Sequence, residues 1–135
     1  MLQLREVRDW ILERCPELTG IISIGAIDAN QPRYVGVYDT PSATASRLCI
    51  GGLANTKWHT RRVVILVHWT TGPVEAEREA YRIYRLFYGL AHETFGSTQV
   101  VMADPGGAPV SVGKDTRGIC EYSIPIDLTY MESEE

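Results

Sequence analysis

Hydrophobic and polar positions follow two distinct periods along this chain. From residue 3 to residue 14, Leu4, Val7, Ile11 and Leu12 recur at helical spacing with Trp10 at the edge of their face, and Arg5, Glu6, Arg8, Asp9 and Glu13 fill the remainder. This predicts a first helix, stopped by Pro16 because a residue preceding proline disfavours helical geometry. Residues 20–28 and 33–39 alternate with a period of two, and the turn-forming Asn30-Gln31-Pro32 lies between them. The short connection suggests an antiparallel hairpin. Residues 61–70 form a third strand, with Val63, Ile65, Val67 and Trp69 on one face and Val64, Leu66 and His68 on the other. Both faces are apolar mid-strand, so both should be covered, one by a helix and the other by a further layer or a second subunit.

Residues 73–91 return to helical spacing. Ala76, Ala80, Ile83, Tyr84, Phe87, Leu90 and Ala91 form the apolar stripe. Pro73 suits the first helical position, and the order from Glu75, Glu77 and Glu79 to Arg82 and Arg85 matches the helix dipole. Strands follow at 97–103 and 109–112, separated by the turn Asp104-Pro105-Gly106-Gly107, and a polar turn spans 113–118. The last strand, 119–130, alternates most regularly: Cys120, Tyr122, Ile124, Ile126, Leu128 and Tyr130 share one face. Pro125 removes a ladder N–H, which places this strand at an edge or gives it a bulge. The order of elements predicts an α+β fold, a mostly antiparallel sheet packed against two α-helices.

Residues 40–60 show no sustained period and are rich in Thr, Ser, Ala and Gly. They read as a long flexible loop that contains at most a short strand at 46–50. The 135 residues suit a single α+β domain, 1–135, with an acidic tail at 131–135. Composition is that of a soluble globular protein, 44% hydrophobic and 22% charged. The longest apolar run, Val63 to Val67, is too short to cross a bilayer, and the amphipathic N-terminus does not read as a signal peptide. A net charge of −4 argues against a protein that coats nucleic acid. Cys15, Cys49 and Cys120, odd in number and far apart, read as reduced structural thiols rather than a disulfide framework or zinc site.

The candidate chemistry is sparse. The corner His68-Trp69-Thr70-Thr71-Gly72-Pro73 has the strand-turn-helix form of a phosphate site. Pro73 deletes one of the N–H groups such a site needs, the first helical turns are acidic, and neither GxxxxGK[ST] nor GxGxxG is present. Gly51-Gly52-Leu53-Ala54-Asn55-Thr56-Lys57 lacks the glycine that would precede the lysine. His59, His68 and His92 lack metal-ligand spacing; His68 reads as a hydrogen-bonded core or interface histidine and His92 as a partner of the helix dipole. Asp28 and Asp39 read as solvated turn formers, and no nucleophile motif is present. The sequence therefore reads as a non-enzyme. The alternative is a small nucleotide- or metabolite-binding enzyme using the 40–60 loop.

One cationic group stands out: Arg47, Lys57, His59, Arg61 and Arg62 gather on the loop and at the start of the third strand. Singly, each reads as a solvated residue; together they form a candidate contact for DNA or an acidic partner. Among the aromatics, Trp58, Trp69, Tyr81 and Tyr88 are candidates for an oligomer interface, where aromatic side chains are favoured.

The string VVILVHWTTGPVEAEREAYRIYRLF resembles the central strand-helix unit of the minor capsid and tail-terminator proteins of long-tailed bacteriophages, through Glu75, Ala76, Ala80, Ile83, Tyr84 and Leu86. GICEYSIPIDLTY resembles that family's closing strand, with Glu121-Tyr122 ahead of the alternating apolar residues. The 40–60 loop has no counterpart in the resemblance. The resemblance implies a virion protein of the tail or neck, assembled in the host cytoplasm. It implies a homo-oligomeric ring, commonly a hexamer, that caps the tail tube and joins tail to head. The implied partners are the tail tube protein, a head-completion or connector protein, and DNA passing non-specifically through the lumen. No cofactor, catalysis or membrane contact is implied.

Overall fold

The computed structural model describes residues 2–40 and 58–131. In chain order the elements are α1 (Leu4–Arg14), a 3₁₀ turn (Pro16–Leu18), β1 (Ile22–Ile24), β2 (Arg33–Asp39), β3 (Trp58–Trp69), α2 (Pro73–Phe87), β4 (Ala91–Phe95), β5 (Thr98–Pro105), β6 (Val110–Lys114) and β7 (Cys120–Met131). The seven strands form one mostly antiparallel sheet in the order β1-β2-β3-β7-β5-β4, with β6 also paired to β7. The fold class is α+β.

Both helices lie on the same face. Val7, Trp10 and Ile11 of α1 and Ala80, Ile83 and Phe87 of α2 join Val35, Val37, Val63, Ile65, Val67, Ile124, Ile126 and Leu128 in one continuous core. The period-two residues of β3 and β7 fall into register, Val63 opposite Ile126 and Ile65 opposite Ile124, so a single apolar row crosses the sheet beneath α2. At the centre, Trp10 stacks on Phe95 with centroids 4.5 Å apart, and Phe87 tilts against it at 5.0 Å.

Several sequence expectations change. The 20–28 and 33–39 segments do not form an antiparallel hairpin. β1 is only three residues long and pairs parallel to β2, with Ile22 opposite Val35 and Ile24 opposite Val37. Gly25, at a φ of 75°, ends β1, and residues 25–32 carry the chain back to the starting level of β2. Alternation specifies which face a side chain takes, not strand direction, so the pattern alone was compatible with either pairing. This return segment also lies against the sheet's outer face. A Cβ at Gly36 would meet Ile27 Cγ2 at 2.8 Å and Tyr38 Cε2 at 2.5 Å, so only glycine permits the approach. Part of the outer-face cover is thus supplied by the chain itself, while Val64 and Leu66 remain half-buried.

β3 begins at Trp58, three residues before the expected start, and α2 ends at Phe87 rather than 91. Residues 91–95 form a strand absent from the sequence-based expectation, and His92 sits in it at a φ of 53° instead of capping α2. β7 is central, not an edge. Its Pro125 carbonyl accepts from Gly106 N–H, which shows that the missing Pro125 N–H faces the seam where β5 ends and β6 begins. Proline is tolerated there because no ladder donor is required at that gap. The possible strand at 46–50 lies outside the described residues.

Candidate assembly surfaces

Residues Arg47 and Lys57 lie outside the described residues. The other members of the cationic group do not share one surface, because consecutive strand residues point to opposite faces. Arg61 points to the helix side, where its guanidinium donates to Leu2 O at 2.6 Å and pairs with Asp39 at 3.3 Å. Arg62 points to the outer face and forms a two-pronged pair with Asp127, at 2.7 Å from Nε and 3.0 Å from Nη2. Those hydrogen bonds and the Asp127 charge hold the Arg62 guanidinium above its ordinary range. His59 sits 5.7 Å from the Tyr130 ring. Arg62→Glu therefore sets two carboxylates side by side and is expected to lower the melting temperature of the isolated chain itself, with Arg62→Lys far milder. Thermal unfolding at a protein concentration low enough to exclude assembly checks this.

The four aromatic candidates also divide. Trp58 is 49% exposed at one end of the outer face. Trp69 is half-buried against the core, with the Arg33 guanidinium 5.7 Å above its ring. Tyr81 and Tyr88 lie on α2. Tyr84, which the sequence assigned to the core face, links them: Tyr81 meets Tyr84 edge-on at 5.9 Å and Tyr84 meets Tyr88 at 5.8 Å. Beside this ladder, Val74, Glu77, Arg78, Tyr81 and Arg85 line an open groove of about 360 Å³. The helical spacing of these residues places them on the side of α2 away from the core. Arg82 anchors the opposite flank, pairing with Glu79 and Glu17 and donating to Cys15 Sγ at 3.4 Å.

Two buried polar sites fix the geometry. His68, fully buried on the outer face, sets Nδ1 2.9 Å from Glu121 Oε2 and Nε2 3.1 Å from Gln31 O. It ties the 25–32 return segment to β7. Its place mid-strand among apolar neighbours was the signal for such a role. Glu6 accepts from Gln3 N–H, Ser97 N–H and Thr98 Oγ1 and so ties α1 to the β4–β5 hairpin. No sequence pattern marked it, since its donors on β5 lie some ninety positions away. Among the described residues, no group of His, Cys, Asp or Glu is placed to hold a metal, and no helix is long and apolar enough to cross a membrane.

A family model described as bacteriophage tail terminator protein matches residues 1–132. The chain belongs to that family. This makes it a bacteriophage tail protein with a structural role, and a virion component. Among curated proteins no sequence matches significantly. One solved structure is similar with a TM-score of 0.48 at 20% identity, over 97% of this chain and 90% of that one. For a tail terminator, exposed apolar side chains are the features of interest, and the sequence left several of them unmarked. Besides Trp58 and Tyr88, these are Ile24, Val74, Met102, Val110 and Val112, each between 39% and 70% exposed. Such positions are solvent-facing in a single subunit, where alternation alone gives no reason for an apolar residue.

Proposed function

We propose that this chain assembles into a homo-oligomeric ring, a hexamer, that caps the tail tube and joins tail to head. The observation that carries the proposal is the match of the tail terminator family to almost the whole chain. A ring needs two different patches on each subunit, one engaging the other on the next copy. The α2 groove around Tyr81 and the opposite edge of the sheet are distinct surfaces that suit this. Tyr88 and Trp58, at separate exposed positions, suit contacts with further copies, the tail tube protein or a head-completion protein.

In this proposal the protein acts without catalysis or cofactor, in the neck of the virion, after assembly in the host cytoplasm. DNA passes through the lumen without being held. A net charge of −4 favours passage, since tight retention of phosphates needs an excess of unpaired cations. Arg61 and Arg62 are matched with Asp39 and Asp127, and Arg47, Lys57 and His59 are the remaining candidate contacts.

Light scattering after size exclusion at two protein concentrations tests the proposal. The expected mass is a multiple of 15.1 kDa that rises toward six chains, and the purified protein binds the ends of tail tubes. A stable single chain that also fails to bind tube ends overturns it.

A further inference from the structure

The ring proposal leaves open which surfaces join neighbouring copies, and the sheet carries an answer. Among the described residues it has three edges with no strand paired on the outer side: β4, β1 and β6. β4 is blunted. His92 takes a left-handed conformation within it, and Glu93 is engaged by Arg14 at 3.0 Å. β1 and β6 are less strongly blunted, β1 by its three-residue length and β6 by a register shift between Ser111 and Gly113. Neither holds a charged residue, apart from Lys114 at the end of β6. Every residue of β6 is exposed, with Val110 at 57% and Val112 at 56%, and Ile24 of β1 is exposed at 39%. Among the described residues, β6 pairs only with β7, and no hydrogen bond reaches its outer side. An apolar strand edge whose outer backbone groups have no strand partner is a template for another strand.

The register shows which strand fits. Across the sheet, Ile22 lies level with Val35, Val67, Tyr122 and Ser111, and Ser23 lies level with Gly36, Leu66, Ser123 and Val110. The β1 and β6 edges thus sit at the same height on opposite sides. β1 runs parallel to β2, and each step from β2 through β3 and β7 to β6 reverses direction, so β1 and β6 run in opposite senses. Set side by side in successive copies, they pair antiparallel, the better bonded arrangement. The two strands are also comparably short, so neither leaves a long unpaired overhang.

α2 packs over β7, the strand to which β6 is paired. Tyr122 of β7, opposite Ser111, is half-buried against the core.

Resting on the ring proposal, we propose that neighbouring copies are joined by antiparallel pairing of β6 of one with β1 of the next, which extends one sheet from subunit to subunit. The occupant of the β6 edge is a second copy of this chain, and the contact is head-to-tail, as a closed ring requires.

Ser111→Pro tests this with little cost to the monomer. Pro125 O accepts from Gly106 N–H, so the odd-numbered residues of β7 direct their backbone groups toward β6. Val110 therefore bonds to Ser123, while Ser111, opposite Tyr122, directs its own N–H outward. Proline at 111 removes a donor that β7 does not use, a placement edge strands tolerate. Ile24→Lys is the matching change on β1. Wild type and both variants are compared by light scattering, circular dichroism and hydrogen exchange. The expected result is that each variant stays folded and falls from the ring mass to one chain. In wild type, the amides of Ile22, Ile24 and Ser111 exchange at least about tenfold more slowly than in Ile24→Lys (for Ser111, which proline otherwise removes) or Ser111→Pro (for Ile22 and Ile24). If wild type is a ring and both folded variants keep its full mass, or the wild-type edge amides exchange freely within the ring, the edge pairing is wrong and the ring proposal stands. If wild type is a single chain, the edge pairing is wrong, and if that chain also fails to bind tail-tube ends the ring proposal falls with it. If Ser111→Pro does not fold, the Ile24→Lys mass and the wild-type exchange decide.

Discussion

Phe87→Ala is expected to remove about 3–5 kcal/mol of stability and to lower the melting temperature by about 10 °C or more. Phe87 is fully buried in the last turn of α2, where its ring packs at 5.0 Å from Trp10 of α1. Trp10 in turn stacks on Phe95 of β4 at 4.5 Å. Removing the ring leaves a cavity where two helices and the sheet meet, and the stacked pair cannot fill it without giving up its own geometry. A loss of that size is a large fraction of the stability of an ordinary domain. Thermal unfolding followed by circular dichroism and tryptophan fluorescence checks it. Tyr88→Ala, one residue on and 70% exposed, is the control and should shift stability by under about 0.5 kcal/mol in the single chain.

Glu6→Gln is expected to cost about 2 kcal/mol at neutral pH. Burial pushes the Glu6 carboxyl up, but the hydrogen bonds from Gln3 N–H, Thr98 and Ser97 outweigh it and hold the group below its usual range. An amide in its place turns one acceptor into a donor that faces N–H groups. The carboxyl binds its proton less tightly in the folded chain than in the unfolded one. Its ionised form therefore contributes stability that is fully present above the unfolded value of about 4.5 and is lost as pH falls through the lower folded value. The difference in melting temperature between wild type and Glu6→Gln should be constant from pH 6 to pH 8, within the range where both states are ionised, and should shrink below about pH 4. An unchanged difference down to pH 3 would contradict this assignment. Gly96, at a φ of 61° in the hairpin turn, approaches the same carboxylate so closely that a Cβ would stand 2.7 Å from Oε2, so the turn and the carboxylate are matched to each other.

The elements most legible in the sequence are those whose signal is local. The apolar spacing of α1, the stripe of α2 from Ala76 to Phe87, and the alternation of β7 from Cys120 to Tyr130 are each complete within one segment, and burial follows them, except that Glu6 on the polar side of α1 is buried as well. The strand-helix unit that suggested the tail terminator resemblance is such a segment, β3 through α2. β4 is not visible in the sequence because the helical pattern of Leu90 and Ala91 continues past Tyr88, where the backbone leaves the helix. The apparent cationic cluster was misleading for the complementary reason. Arg61 and Arg62 are adjacent in sequence, yet their partners, Leu2 O and Asp127, lie 59 and 65 positions away on opposite faces of the sheet.

The sequence by itself determined the class of elements, the face each turns to the core, and membership of a tail protein family. These depend on periodicity and on residues near one another along the chain. Only the tertiary structure decided that β1 runs parallel to β2, that β7 sits at the centre with Pro125 at a seam, and that β1 and β6 end as level, opposed edges. Strand order and direction are set by which distant segments bury the most surface together and satisfy each other's backbone groups. That outcome depends on all the strands at once, and a two-residue period carries no record of it.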